Sequence, residues 1–81
     1  MLKNVRNYIK DNNYKITLKN NIIDIENYSN VGNISEKEII IYINDLKIII
    51  KGSNLNINKL LNNEILIKGL YNNIIFEGKN E

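Results

Sequence analysis

Short apolar runs that end at a glycine or an asparagine pair constrain the fold of this chain more than any other feature. Residues 46–50 precede Lys51-Gly52, and residues 65–67 precede Lys68-Gly69. Runs of β-forming residues interrupted this often are typical of strands joined by tight turns. The sequence therefore predicts a small all-β domain.

From Tyr14 onward, apolar and polar residues alternate with the period of two that a half-buried strand requires. Asn20-Asn21, Asn44-Asp45 and Asn62-Asn63 separate successive runs, and asparagine tolerates the positive φ of hairpin turns. About seven short strands are predicted, packed as a small antiparallel β-sandwich or roll. The segment 27–36 is polar, which predicts a loop or bent connection.

Residues that point to one side of these strands form the predicted core. They are Ile39, Ile41, Ile48, Ile50, Leu55, Ile57, Ile65 and Ile67. Because runs 39–43 and 46–50 are apolar on both faces, they are predicted to be central strands that are covered on each side. Gly32, Gly52 and Gly69 are predicted turn residues, since glycine adopts turn conformations without steric cost.

The ends of the chain are predicted to differ from this domain, which covers residues 14–77. Leu2, Val5 and Ile9 fall at helical spacing, so residues 1–13 are predicted to form a short helix or a frayed segment. A basic amphipathic helix could contact a membrane or a partner, but a loosely docked terminus is the ordinary interpretation. Residues 78–81 are predicted to be a polar tail.

A recurrence of about 17 residues, from Ile50-Lys51-Gly52 to Ile67-Lys68-Gly69, leaves a second architecture open. Stacked rungs of a short β-solenoid would also give brief strands that end at glycine. Such a protein would act as a self-assembling structural element.

Composition excludes several classes of chemistry. The 81 residues contain no cysteine and no histidine, which removes the commonest zinc ligands and the usual general base. The pairs Asp24/Glu26 and Glu36/Glu38 could hold a cation or transfer protons, but without a third convergent ligand they are interpreted as solvated strand faces. We therefore predict no enzyme, no catalytic residue, no cofactor and no metal site.

Charge and hydropathy point to no nucleic acid and no membrane span. Eleven basic and nine acidic residues give a net charge of +2, which is far below the basic surface of a dedicated nucleic-acid binder. Tyrosines beside scattered lysines nevertheless keep a small nucleic-acid-binding β-barrel open as an alternative. The longest apolar run, residues 39–43, is much shorter than the roughly 20 residues of a spanning helix. A cytoplasmic protein is predicted.

The order of several motifs resembles the YabP/YqfC family of small bacterial sporulation proteins. The motifs are Ile25-Glu26-Asn27, Ser35-Glu36-Lys37-Glu38-Ile39, Ile48-Ile49-Ile50-Lys51-Gly52, Leu55-Asn56-Ile57, Ile65-Leu66-Ile67-Lys68-Gly69 and Ile74-Ile75-Phe76. The strand end at Asn27 and the short tail after Phe76 resemble the YqfC type more closely. Asn30 stands where the family has a glycine, which implies that Asn30 is also a turn residue.

The resemblance implies a non-enzymatic role in endospore formation in a Firmicute-type bacterium. It adds Leu60 and Ile75 to the predicted core, as positions that the family shares. It also implies a location in the mother-cell cytoplasm, peripheral to a membrane, beside a larger membrane-associated partner of the YqfD type.

The physical mechanism expected of so small a domain is partner docking or self-association. An unpaired strand edge offers free backbone groups to another chain. Tyr42, Lys47 and Lys51 interrupt the apolar hairpin of residues 39–51 and would mark its exposed side. These three residues form the predicted partner surface.

Overall fold

The computed structural model describes residues 14–78, which form one antiparallel sheet of six strands. The strands are β1 Lys15–Lys19, β2 Ile22–Glu26, β3 Asn30–Ile34, β4 Glu38–Ile43, β5 Leu46–Leu60 and β6 Glu64–Gly78. Their order across the sheet is β1-β2-β6-β5-β4-β3. The all-β antiparallel prediction is confirmed. The β-solenoid alternative is wrong, because every pair of adjacent strands is antiparallel and β5 with β6 forms one long hairpin.

The long hairpin of β5 and β6 divides the sheet into two parts that share it. Residues 46–51 of β5 lie between β4 and residues 73–78 of β6; together with β3 they form what we term the β4 half. Residues 64–68 of β6 lie between β2 and residues 56–60 of β5; together with β1 they form the β2 half. Each long strand therefore crosses from one half to the other.

A single hydrophobic core joins the two halves. Its ten buried residues are Ile23, Ile25, Ile39, Ile41, Ile43, Ile48, Ile50, Leu55, Ile65 and Ile67, and none is more than 3% exposed. They come from the facing sides of both halves, so the sheet bends until its own apolar faces meet. Nine of the ten are isoleucine, whose branched side chain suits a pleated surface.

Bulges produce the bend, because each adds one unpaired residue to a strand and increases its twist. The register of β5 against β6 shifts at three places: after Lys51, between Ser53 and Asn56, and after Ile57. Asn54 takes a positive φ of 56° and Gly69, opposite it, one of 140°. The chain therefore changes direction within continuous strands.

Two glycines let the strands approach closely at this bend. A Cβ on Gly52 would lie 2.2 Å from the Leu70 carbonyl oxygen, and one on Gly69 would lie 2.7 Å from that of Asn54. Real Cβ atoms essentially never come within 3.0 Å of another heavy atom. Both positions therefore require glycine for space, and Gly69 requires it for backbone conformation as well.

Hydrogen bonds from neighbouring turns hold the bend in place. The Gly52 and Leu55 amides donate to the carbonyl oxygens of Lys37 and Glu36, at 3.1 and 2.9 Å. On β6, the Gly69 amide donates to the Asn21 carbonyl oxygen at 3.1 Å. The β3–β4 and β1–β2 connections therefore both brace the long hairpin.

Several expectations about turns and strands were wrong. Gly52 and Gly69 lie inside β5 and β6, Gly32 lies inside β3, and Asn30 begins β3. Of these four residues, only Gly69 has a positive φ. The predicted strands on either side of Gly52 merge into β5, and those on either side of Gly69 merge into β6. The unexpected β3 adds one strand, so the seven predicted strands become six.

The predicted core also needs correction at its margins. Leu60 is 57% exposed, because it ends β5 on an edge that no described strand covers. Ile57 and Ile75 are only partly buried. The expectation that β4 and β5 are covered on both faces was also wrong, because their outward isoleucines remain partly exposed. The predicted N-terminal helix lies outside the described residues.

Candidate functional site

Three isoleucines form a row on the outward face of the β4 half, opposite the core. Ile40 of β4 pairs with Ile49 of β5, which pairs with Ile75 of β6. All three are partly buried. Isolated surface hydrophobes need no explanation, whereas contiguous apolar side chains on an outward face can mark an interaction site. We call these residues the outer row.

Gly32 helps to leave the outer row uncovered. It lies in the edge strand β3, where a Cβ would sit 2.9 Å from Cε2 of Tyr42 and 3.4 Å from Cβ of Ile40. Any larger residue at this position would press against both side chains. Glycine at this position therefore leaves room for the Tyr42 and Ile40 side chains.

The predicted partner surface lies on this same face. Tyr42 and Lys47 are opposite one another on one side of the outer row, and Lys51 is opposite Glu38 on the other. Glu77 continues the first pair onto β6, and Asn73 continues the second. The structure therefore brings together an apolar row with a tyrosine, two lysines and two carboxylates along its margins.

A shallow depression adjoins this surface at the β4–β5 turn. Its lining residues are Tyr42, Asn44, Asp45, Leu46, Lys47, Glu77 and Gly78. The Asn44 amide donates to Oγ of Ser29 at 2.8 Å, which ties the turn to the segment before β3. The turn is thus held in place beside Tyr42.

A second cluster lies on the outward face of the β2 half and consists of three carboxylates. Glu26 is directly opposite Glu64, and Asp24 is two residues before Glu26 in β2. Their ligand oxygens all lie within 4.8 Å of one another. Sequence reasoning had placed Asp24 and Glu26 together but missed Glu64, because only the β2–β6 register shows that this third carboxylate converges.

The pKa of Glu64 is raised above its ordinary value. The main cause is a side-chain hydrogen bond with Asp24, followed by partial burial and by the negative charge of Asp24. Lys59 opposes this effect. The proximity of the two carboxyls follows from the β2–β6 register. Oxygens of this kind suit a hard cation, but calcium takes six to eight such ligands and magnesium six, against three here.

The four tyrosines within residues 14–78 do not share one face of the sheet. Tyr14, Tyr28 and Tyr71 pack against the core, whereas Tyr42 lies on the outward face. The Tyr28 hydroxyl donates to the Leu61 carbonyl oxygen at 2.7 Å, and that of Tyr71 to the Lys19 carbonyl oxygen at 2.8 Å. These side chains act as structural links between turns and strands.

Ser35 has an ordinary capping role. Its Oγ accepts hydrogen bonds from the amides of Lys37 and Glu38, at 3.2 and 3.0 Å, and donates to the Glu38 carbonyl oxygen. Serine uses its hydroxyl in this way in many tight turns. The side chain is therefore committed to shaping the β3–β4 connection.

The chain matches a known protein family. A model of the YabP family matches residues 10–81, which is most of its length. The chain belongs to the YabP family. No curated protein and no solved structure matches it. Membership of the YabP family is consistent with a role in sporulation.

The motifs that suggested the YabP family map mainly to the long hairpin. Gly52 and Leu55 lie at the bend of β5, and Ile67 and Gly69 lie at the facing bend of β6. These positions are explained by the fold, because they provide the close approach and the buried contacts described above. Within residues 14–78 of this YabP-family protein, no helix is long and apolar enough to cross a membrane.

Proposed function

We propose that this YabP-family protein is a non-enzymatic sporulation protein that works by docking a protein partner on the outward face of its β4 half. The observation that carries the proposal is the outer row of Ile40, Ile49 and Ile75 with Tyr42, Lys47 and Lys51 along its margins. Protein interfaces typically combine an apolar or aromatic centre with a polar rim. This face has that arrangement.

The charges along the row suit a specific partner. Lys47 and Lys51, with Glu77 and Glu38 beside them, would fix the orientation of a partner whose charges complement this pattern, while the isoleucines would contribute most of the affinity. Tyr42 offers a large, rigid contact whose hydroxyl can remain hydrated. The partner surface should therefore be apolar at its centre and carry charges of both signs at its edge.

The family resemblance supplies a candidate for that partner. A larger membrane-associated sporulation protein of the YqfD type would bring this small domain to a membrane surface in the mother-cell cytoplasm. Assembly of several copies around such a partner is part of the same proposal. The engaged Ser35 and the structural tyrosines favour a binding role over catalysis.

A spore count tests the cellular role. Deleting the gene in the spore-forming bacterium that encodes it should reduce the number of heat-resistant spores, and the wild-type gene should restore it. The triple variant Tyr42→Ser/Lys47→Gln/Lys51→Gln should fail to restore it. Normal spore numbers in the deletion strain would refute the proposal.

A matched control separates docking from folding. The triple variant Leu66→Ser/Lys19→Gln/Lys68→Gln makes comparable changes on the outward face of the β2 half, where Lys19, Ile22 and Lys68 lie in one row. It should restore spores and co-purify with the co-expressed YqfD-type protein. Equal behaviour of the two triple variants in co-purification would show that the β4 half is not the docking face.

A further inference from the structure

We propose that two copies of this protein associate by pairing the free edges of β6 antiparallel, over residues 73–77, with Ile75 on the two-fold axis. The inference deepens the self-association part of the proposed function. Its test uses purified protein and can therefore fail while the spore phenotype stands.

The edge is available because β6 is longer than its outer neighbour. β2 pairs with β6 only from Ile22↔Lys68 to Glu26↔Glu64. From Asn73 to Gly78, β6 is paired within residues 14–78 on one side only, with β5. Backbone groups on its other side are therefore open to another strand.

The remaining free edges among the described residues carry features that discourage pairing. β1 has Lys15 and Lys19 in a strand of five residues, β3 has a register shift between Val31 and Ile34, and residues 56–60 of β5 contain a bulge after Ile57. Lysines, short edges and bulges are the usual protections of an exposed strand. Residues 73–77 are as short a stretch as β1, but they contain no lysine and no bulge, because their register against β5 is regular.

The side chains select one register for the pairing. If Ile75 faces Ile75 of the second copy, then Ile74 faces Phe76 of that copy, and Asn73 faces Glu77. A shift by two residues in one direction would place Ile75 against Asn73, and in the other against Glu77. Only in the proposed register do all three apolar residues, Ile74, Ile75 and Phe76, face apolar partners, and no carboxylate faces itself.

This register also accounts for an exposed aromatic side chain. Phe76 is 54% exposed, although it lies on the same side of the sheet as the core residue Ile48. Pairing would cover it with the partly buried Ile74 of the second copy. On the outward face, the two outer rows would join into one line of six isoleucines, since Ile75 ends the row in each copy.

Single cysteines test the axis directly, because the natural chain contains none. Residues opposite one another in an antiparallel pair have Cβ atoms about 4.5–5.5 Å apart, close to disulfide geometry. Oxidised Ile75→Cys should form a covalent dimer rapidly. Ile49→Cys, one strand inward in the same row, is the control and should not, because its two copies would be separated by three strand spacings of about 4.8 Å.

A charge change at Asn73 separates dimer strength from fold stability. Asn73 faces Lys51 within its own copy and Glu77 across the proposed axis. Asn73→Glu should therefore stabilise each monomer yet weaken the dimer about tenfold, since two like-charge contacts appear by symmetry. Asn73→Lys should destabilise each monomer and strengthen the dimer. Sedimentation velocity over a concentration series gives the dissociation constant of the dimer, and urea unfolding gives the free energy of unfolding.

A lysine on the edge completes the test. Phe76→Lys should abolish the dimer, whereas Leu18→Lys, at a similarly exposed position on β1, should leave it unchanged. A wild-type protein that stays monomeric at the highest attainable concentration, with no faster cross-linking of Ile75→Cys than of Ile49→Cys, would overturn the proposal. A dimer that is disrupted by Leu18→Lys but not by Phe76→Lys would also overturn the proposal.

Discussion

Replacing Gly52 with alanine should be among the most damaging single-methyl changes in this protein. The new Cβ would lie 2.2 Å from the Leu70 carbonyl oxygen and 2.7 Å from Cα of Tyr71. Both are backbone atoms, so no side chain can rotate away. Relief would require the two long strands to separate by roughly 1 Å at the bend, to reach the 3.4 Å of ordinary contact.

The expected change in the free energy of unfolding is the difference between two opposing effects. Overpacking of this kind costs about 1–3 kcal/mol and occasionally more, whereas alanine gains about 0.4–1 kcal/mol by restricting the unfolded chain. Because both bracing amides, those of Gly52 and Leu55, limit relaxation, we expect a net loss of about 2 kcal/mol. A chain of 81 residues has a total stability of about 4–12 kcal/mol, so this is a large fraction.

Urea unfolding followed by far-UV circular dichroism measures the loss. The control is Gly78→Ala, because a Cβ at Gly78 would meet nothing within 4 Å. Its free energy of unfolding should stay within about 0.5 kcal/mol of wild type. If Gly52→Ala unfolds at the same urea concentration as Gly78→Ala, the close approach of β5 and β6 at the bend is wrong.

Three further changes test other parts of the structure by the same unfolding assay. Ile41→Ala should cost about 2–5 kcal/mol because it empties a fully buried site, whereas Leu18→Ala on the exposed edge should cost under about 1 kcal/mol. Asn21→Ala should lose about 1 kcal/mol, since alanine lacks the short polar side chain that lets asparagine tolerate the φ of 60° at the β1–β2 turn, while Asn21→Gly should be near neutral. The raised pKa of Glu64 means that the folded state holds this proton more tightly than the unfolded chain. Its stabilising effect is present below the ordinary value of 4.5 and is lost as the pH rises through the folded-state pKa, so Glu64→Gln should remove that decline in stability toward neutral pH.

The hairpins were predictable because their signals are local. Asn20-Asn21 and Asn44-Asp45 form two-residue turns, and Asn21 and Asn44 take the positive φ that such turns demand. Strand β3 was not predictable in the same way. Its sequence Asn-Val-Gly-Asn-Ile has little β propensity, so pairing with β4 imposes its extended conformation.

The spacing of buried residues in β5 contains a break in the regular alternation, and Gly52 makes that break resemble a turn between two strands. Buried residues in β5 occupy even positions at Ile48 and Ile50 and then an odd position at Leu55. A regular strand cannot change parity, because a shift of one residue moves every side chain to the opposite face. The change therefore required either a turn or a bulge. Gly52 favoured the turn, but the structure has the bulge.

The candidate sites were only partly readable from the sequence. Tyr42, Lys47 and Lys51 could be placed on one face because they belong to adjacent strands of a single hairpin. Glu64 could not be joined to Asp24, because their proximity depends on a pairing between strands far apart in the chain. Long-range register of this kind is determined by the whole core and not by any local motif.

β2 and its partner strand β6 are far apart in the sequence, and this separation affects how the protein folds while it is synthesised. Glu26 and Glu64 are neighbours in the sheet although 38 positions separate them in the chain. Contacts between distant segments form slowly, because loop-closure entropy must be overcome first. The β1–β2 hairpin must therefore leave the ribosome with its isoleucines uncovered and remain so until residues 64–68 of β6 have been synthesised. Newly made chains should accordingly be most prone to aggregation or chaperone capture during that interval.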